Sequence, residues 1–176
     1  KAATAVHAAL EEAEKMSGTT VDSVYLAQTG AHLKGQMLRG SSFVSSSDNR
    51  VTVDDVERAS SEAKRKCPEN GRTFVHYVRN PVLLDGKAVE DPVGMLGQKI
   101  DVGYWSIDGE DQAIRSALHV ISNYNLEVDD LILSSIASAT MVAGPDLRRA
   151  GSLVIDMGAG VTDLVVYRQG FVAYTG

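Results

Sequence analysis

One cysteine, Cys67, and four prolines are found among the 176 residues of this chain. A lone thiol has no partner for an internal disulfide, and it points to a reducing compartment. No run nears the roughly 18 apolar residues of a membrane-crossing helix, and no signal-peptide pattern opens the sequence. Basic residues are the minority, 17 Lys and Arg against 23 Asp and Glu, and they form no block. A net charge of −6 sets the bulk field against nucleic acid as a main partner. His7, His32, His76 and His119 are scattered without ligand spacing, which argues against a metal cluster. No Ser-His-Asp or Cys-His arrangement can be argued, so a catalytic base is not identifiable.

What is present is enough to fold. Hydrophobic residues make up 44%, the ordinary share for a chain that buries a core. Residues 1–16 read as a helix with Val6, Ala9, Leu10, Ala13 and Met16 on its inward face and Gly18 as its C-terminal cap. Residues 21–27 form a β-rich run closed by Thr29-Gly30, and the Ser-rich stretch 41–49 reads as a loop. Thr52 and Asp55 have the spacing of a capping box, before a helix that turns Val53, Val56, Ala59 and Ala63 inward and ends before Pro68. Its charged side, with Glu57, Arg58, Glu62, Lys64 and Arg65, reads as a solvated face and, more sharply, as a partner-binding face.

Residues 72–78 alternate as a strand, Asn80-Pro81 stops it, and 82–84 resume it before an Asp85-Gly86 turn. The stretch "DPVGMLG" (91–97) must turn sharply, and 100–107 is the next strand. Within that strand, Tyr104 and Trp105 are expected to be one core and one surface aromatic, or else an exposed contact. Residues 110–124 form an amphipathic helix with Ile114, Ala117, Leu118 and Ile121 inward, then a strand at 126–133 and a short helix at 136–142. Pro145 and Gly151 bracket a linker. Residues 29–108 thus read strand-helix-strand-strand, an α+β unit between two α/β stretches.

The most pointed motif is "VIDMGAGVTDLVVY" (154–167), two β-branched runs about a turn of small residues. Missing side chains let backbone N–H groups approach an anion, phosphate above all. Asp156 beside such a turn would repel phosphate unless a cation lies between them, and Mg²⁺ is held by few carboxylates, waters and phosphate oxygens. The candidate ligand-binding residues are therefore Asp156, Gly158, Ala159, Gly160, Val161 and Thr162, with Asp156 facing Mg²⁺ through water. The plainer reading is an ordinary hairpin whose turn Asp156 caps.

Asp-x-Gly-x-Gly-Val-Thr between apolar strands resembles the second phosphate-binding hairpin of the actin/Hsp70/sugar-kinase ATPase superfamily. Within it, "VDSVYLAQTGAHL", "VTVDDVERASSEAK", "DPVGMLG", "NLEVDDLILSSIASA" and "LVIDMGAGVTDLVVY" resemble, in order, the FtsA family of bacterial cell-division proteins over essentially the whole chain. The hairpin is specific only to the superfamily. The "DPVGMLG" loop, with a strand, a helix and "LEVDDLILSSIASA" directly after it, is more specific. Ala159 stands where many relatives have a third glycine, which is tolerated only if its φ need not be positive. Stretch 41–50 matches the family poorly.

The resemblance implies an α/β fold, part of an actin-like (ribonuclease H-like) ATPase with an inserted α+β subdomain of the SHS2 type. Residues 1–28 and 109–143 would belong to subdomain 1A, 29–108 to the inserted subdomain 1C, and 144–176 to the start of subdomain 2A. It further implies ATP and Mg²⁺ as ligands, with slow hydrolysis at most, and self-association into filaments. The partners it implies are FtsZ and late division proteins, at the inner face of the cell membrane, with no nucleic acid. A first phosphate loop before Lys1 is expected. An adenosine motif, a subdomain 2B and a membrane-targeting helix are expected after Gly176, so that this segment alone binds ATP weakly or not at all. Rivals are a pilus-assembly scaffold of similar fold, which lacks "DPVGMLG", and a sugar or acetate kinase, which lacks the insertion.

Overall fold

The structure is a computed structural model and describes residues 2–65 and 71–176; Cys67 and Pro68 lie outside the described residues. Helix α1 (Ala2–Ser17) ends at Gly18, whose φ of +68° suits a residue without Cβ and whose N–H reaches the Glu14 carbonyl. None of its residues is buried, and Met16, expected inward, is 81% exposed. Near its start the helix is tied to the end of α3, where the Tyr124 hydroxyl donates to the Ala3 carbonyl at 2.6 Å.

Strand β1 (Ser23–Gln28) leads into β2 (Leu33–Phe43), which takes in the first part of the stretch read as a Ser-rich loop. Ser41 is held there because its amide donates to Glu62 and its hydroxyl to Asp101, side-chain bonds that composition does not reveal. Helix α2 (Val53–Lys64) starts on the predicted capping box, with both reciprocal bonds between Thr52 and Asp55 present. Ala59 and Ala63 are buried as expected, but Val53 is exposed and the third buried residue is Asp55. Gly40 on β2 lets the helix lie against the strand: a Cβ there would come within 2.1 Å of the Ala59 carbonyl.

Strands β3 (Arg72–Arg79) and β4 (Val82–Leu84) share one edge of β6 (Lys99–Glu110), and β2 takes the other along its whole length. Asn80-Pro81 separates β3 from β4 because proline brings no N–H to the ladder. Strand β5 (Lys87–Val89) closes a two-residue hairpin on β4, with Asp85 and Gly86 both at positive φ, as the primed turns require. The "DPVGMLG" loop turns at Gly94 (φ +82°) and is stitched to residues 49–51 by backbone bonds from Gly94, Gly97 and Val51.

Helix α3 (Asp111–Ser122) buries Ile114 and Ile121, and β7 (Glu127–Leu133) pairs in parallel with β1. Helix α4 (Ser134–Val142) comes at once, and the expected linker is itself a short helix, α5 (Pro145–Ala150), begun by proline in the first turn. Strands β8 (Ser152–Met157), β9 (Thr162–Arg168) and β10 (Phe171–Thr175) form an antiparallel sheet of their own. The Phe74–Val78 run is therefore not in the sheet that holds the 154–167 hairpin, as the α+β reading requires.

Two cores divide the five-stranded sheet. On one face Leu38, Val82, Ile100 and Val102 pack with Ala59 and Ala63 of α2. On the other, Val75, Trp105 and Ile107 join Ile114, Leu133, Ile136, Val165 and Val172. The second face of the middle unit's sheet is thus covered by the flanking elements. Tyr104 and Trp105 are both buried, one in each core, because neighbours on a strand covered on both faces each meet a core. The Trp105 indole N–H donates to the Thr175 hydroxyl at 3.0 Å, and buried Asn80 accepts from the Val172 amide at 3.0 Å, so β10 is fastened to the five-stranded sheet.

Candidate functional site

The β8–β9 hairpin pairs without a register shift from Ser152 opposite Tyr167 to Met157 opposite Thr162, leaving residues 158–161 as the turn. The Gly158 amide closes it on the Val161 carbonyl at 2.9 Å. Among the described residues, the amides of Ala159, Gly160 and Val161 have no protein acceptor, and all three residues are exposed. Thr162 is exposed as well.

Neither glycine nor Ala159 has positive φ. Alanine is therefore accommodated at 159, and backbone handedness is not what calls for the glycines. A Cβ at Gly158 would stand 3.2 Å from the Val161 carbonyl, a tight fit. At Gly160 it would meet nothing within 4 Å. Neither contact of a Cβ nor backbone handedness accounts for a glycine at 160.

The register places Asp156 directly opposite Asp163. Directly paired residues of an antiparallel ladder project to one face, where two like charges disfavour each other. Both are half-buried, and among the described residues neither forms an ion pair. Each instead accepts one hydroxyl: Asp156 Oδ2 from Ser138 on α4 at 2.7 Å, and Asp163 Oδ2 from Thr29 at the end of β1. A hydroxyl dipole does not neutralise a carboxylate. The donor set thus matches a hard, oxygen-seeking cation, and the residues would fit Mg²⁺ beside a turn whose amides are free.

Of the six residues singled out from the sequence, the structure gathers all at this tip, since they are contiguous. Sequence reasoning left Asp163 without a role and did not single out Ser138. Counting the ladder outward from a four-residue turn would have paired 156 with 163; Ser138 carried no such signal. The charged face of α2 is a separate open groove with Ser41, Ser42, Asp54, Glu57, Arg58 and Arg65 along it, its acids and bases mixed.

Comparison with known proteins then places the chain. Residues 30–108 match the family described as the SHS2 domain inserted in FTSA. Beyond that segment, the chain is 28% identical over 168 residues to the cell division protein FtsA of Borreliella burgdorferi, covering 95% of this chain and 41% of that protein. It is 29% identical to FtsA of Escherichia coli over 171 residues, covering 97% and 40%. With FtsA of Streptococcus pneumoniae it shares 27% over 175 residues, covering 99% and 38%. The chain spans about two fifths of the length of these relatives. Its class is α/β with an inserted SHS2 domain, in keeping with part of an actin-like fold. The chain is similar to FtsA proteins over nearly its whole length, and what those relatives share by name is cell division.

Proposed function

We propose that this chain supplies one wall of an ATP site in a cell-division scaffold of the FtsA kind. That scaffold polymerises on the inner face of the cell membrane at the division site and links the FtsZ ring to later division proteins. Residues 1–28 and 109–143 serve as subdomain 1A, 29–108 as the inserted 1C unit, and 144–176 as the beginning of 2A. The free amides of Ala159, Gly160 and Val161 hold phosphate, Thr162 adds a hydroxyl, and Asp156 holds Mg²⁺ through water. When bound, Mg²⁺ offsets the phosphate charge that the carboxylate would otherwise repel. ATP acts here as a conformational and assembly ligand, with slow hydrolysis at most. The membrane is reached through a helix outside this chain, and nucleic acid is not a partner.

The observation that carries this reading is the pair Asp156 and Asp163, opposed across the ladder without a basic partner, beside a turn whose amides are free. An ordinary hairpin has no use for either. Titration calorimetry of Mg²⁺–ATP into a protein of the relatives' full length carrying this segment tests it. Asp156→Ala should weaken binding at least about tenfold, or about 1.4 kcal/mol. Unchanged affinity would reduce the motif to a plain turn.

A further inference from the structure

Three hydroxyls inside the helices of this protein bond along their own helix. Ser60 donates to the Val56 carbonyl, Ser116 to Gln112 and Thr140 to Ile136, each four residues back on its own helix at 2.7–2.8 Å. Such back-bonding is the local option for Ser and Thr within a helix. Ser138, in the middle of α4 and two residues before Thr140, does not take it. Its Oγ reaches across to β8 and donates to Asp156 Oδ2 at 2.7 Å. Ser138 is half-buried, α4 lies against both β8 and β9, and Ala139 beside it is fully buried in the core.

We infer that Ser138 is a positioning residue for Asp156, fixing which carboxylate oxygen faces the ligand. The inference rests on the proposed Mg²⁺–ATP reading and adds to it a residue outside the phosphate motif. Asp156 has two oxygens. Ser138 occupies Oδ2, and among the described residues no donor is bonded to Oδ1. A side chain held at one oxygen by a helix that is itself packed presents the other in a fixed direction. Without that bond the carboxylate of Asp156 is free to turn about its side-chain torsions, and its like-charged neighbour Asp163 biases it away from the shared face. Thr29 fastens Asp163 from the other side, so the two acids are held by different elements. Outer-shell donors of this kind typically change metal affinity by about 10–100-fold when removed. A hydroxyl that reaches a carboxylate across 18 residues of sequence, where Thr140 on the same helix bonds locally, is placed for that carboxylate.

The test is the affinity of ATP with Mg²⁺ and with EDTA, measured by calorimetry on a protein of the relatives' full length, for wild type, Ser138→Ala, Ser138→Thr and Asp156→Asn. Ser138→Ala should lose about tenfold in Mg²⁺–ATP affinity, equivalent to about 1.4 kcal/mol, and little in EDTA. Ser138→Thr, which keeps the hydroxyl, should recover most of the loss. Adding Ser138→Ala to Asp156→Asn should cost nothing further, because the bond serves only that carboxylate. Equal losses with and without Mg²⁺, no rescue by threonine, or additive losses would show that Ser138 merely supports α4 and would overturn the inference. Mg²⁺-dependent binding lost in Asp156→Asn but intact in Ser138→Ala would overturn it while leaving the ATP reading in place. Wild-type protein without Mg²⁺-dependent binding would overturn both.

Discussion

Two aspartates, Asp55 in the first turn of α2 and Asp156 near the end of β8, are treated in opposite ways. Asp55, in the inserted SHS2 domain, is completely buried and accepts from the amide and hydroxyl of Thr52, the amide and hydroxyl of Ser45, and the Arg58 guanidinium. Asp156, on the hairpin, is half-buried, faces a second acid and, among the described residues, accepts from Ser138 alone. A carboxylate that serves the fold is saturated with donors, since an unmet buried charge is costly. One that is left under-satisfied and partly open to solvent keeps capacity for a ligand. The same contrast separates the sheets: the five-stranded one is covered on both faces, while β8 leaves Leu153, Ile155 and Met157 in solvent.

The largest losses on substitution are expected at the saturated carboxylates. Arg72 binds Asp108 through its guanidinium, reaches the His32 carbonyl at 3.0 Å, and both side chains of the ion pair are buried. Arg72→Met should strand the Asp108 carboxylate and cost about 3–5 kcal/mol in urea-induced unfolding. A loss below about 1 kcal/mol would mean the acid finds other donors. Asp55→Ala should cost less, about 2–3 kcal/mol, from the lost reciprocal half of the capping box and the orphaned amides of Thr52 and Ser45. Asp156→Ala should shift unfolding by about 1 kcal/mol or less, because relief of the Asp163 repulsion offsets the lost Ser138 bond.

Acidity gives the smallest effects. Burial alone would raise the Asp55 pKa, but hydrogen bonds from Thr52 and Ser45 outweigh it and hold the carboxyl below its ordinary value. Its folded pKa is thus depressed, so its contribution is complete above about pH 4 and is lost as pH falls through the folded value. Acid unfolding of Asp55→Asn should accordingly be flatter below about pH 4 than that of wild type. Burial also lowers the pKa of His76, partly opposed by Asp130. A histidine kept neutral by folding destabilises the protein as pH drops below about 6.5, where the unfolded chain takes up the proton first. Melting temperatures of wild type should therefore slip between pH 7 and pH 5, and His76→Gln should remove part of that slope.

Much of this was legible in the sequence. The capping box at Thr52, the Asp85-Gly86 turn, the amphipathic face of α3 and the 154–167 hairpin are local signals, and each forms as its residues dictate. What local pattern could not show was which faces meet. Tyr104 and Trp105 are both inside because β6 is central and doubly covered, and Met16 is outside because little packs on α1. The first three residues of the Ser-rich stretch are strand, paired with β6 and bound at Ser41 by Glu62 and Asp101. At the site, the turn residues were legible one after another. The opposition of Asp156 to Asp163 needed a register, and the Ser138 bond needed a helix packed on a strand.

Gly160 allows the most direct test of the claim that the hairpin serves a ligand and not the fold. A Cβ there meets nothing within 4 Å and the position has no positive φ, so packing and backbone predict little penalty. The measurement is paired: the melting temperature and the Mg²⁺–ATP affinity of Gly160→Val in a protein of the relatives' full length. The melting temperature should be unchanged and the affinity weakened at least about tenfold, or about 1.4 kcal/mol, as the added methyls block approach to the turn amides. Wild-type affinity in that variant would mean that the hairpin serves no ligand.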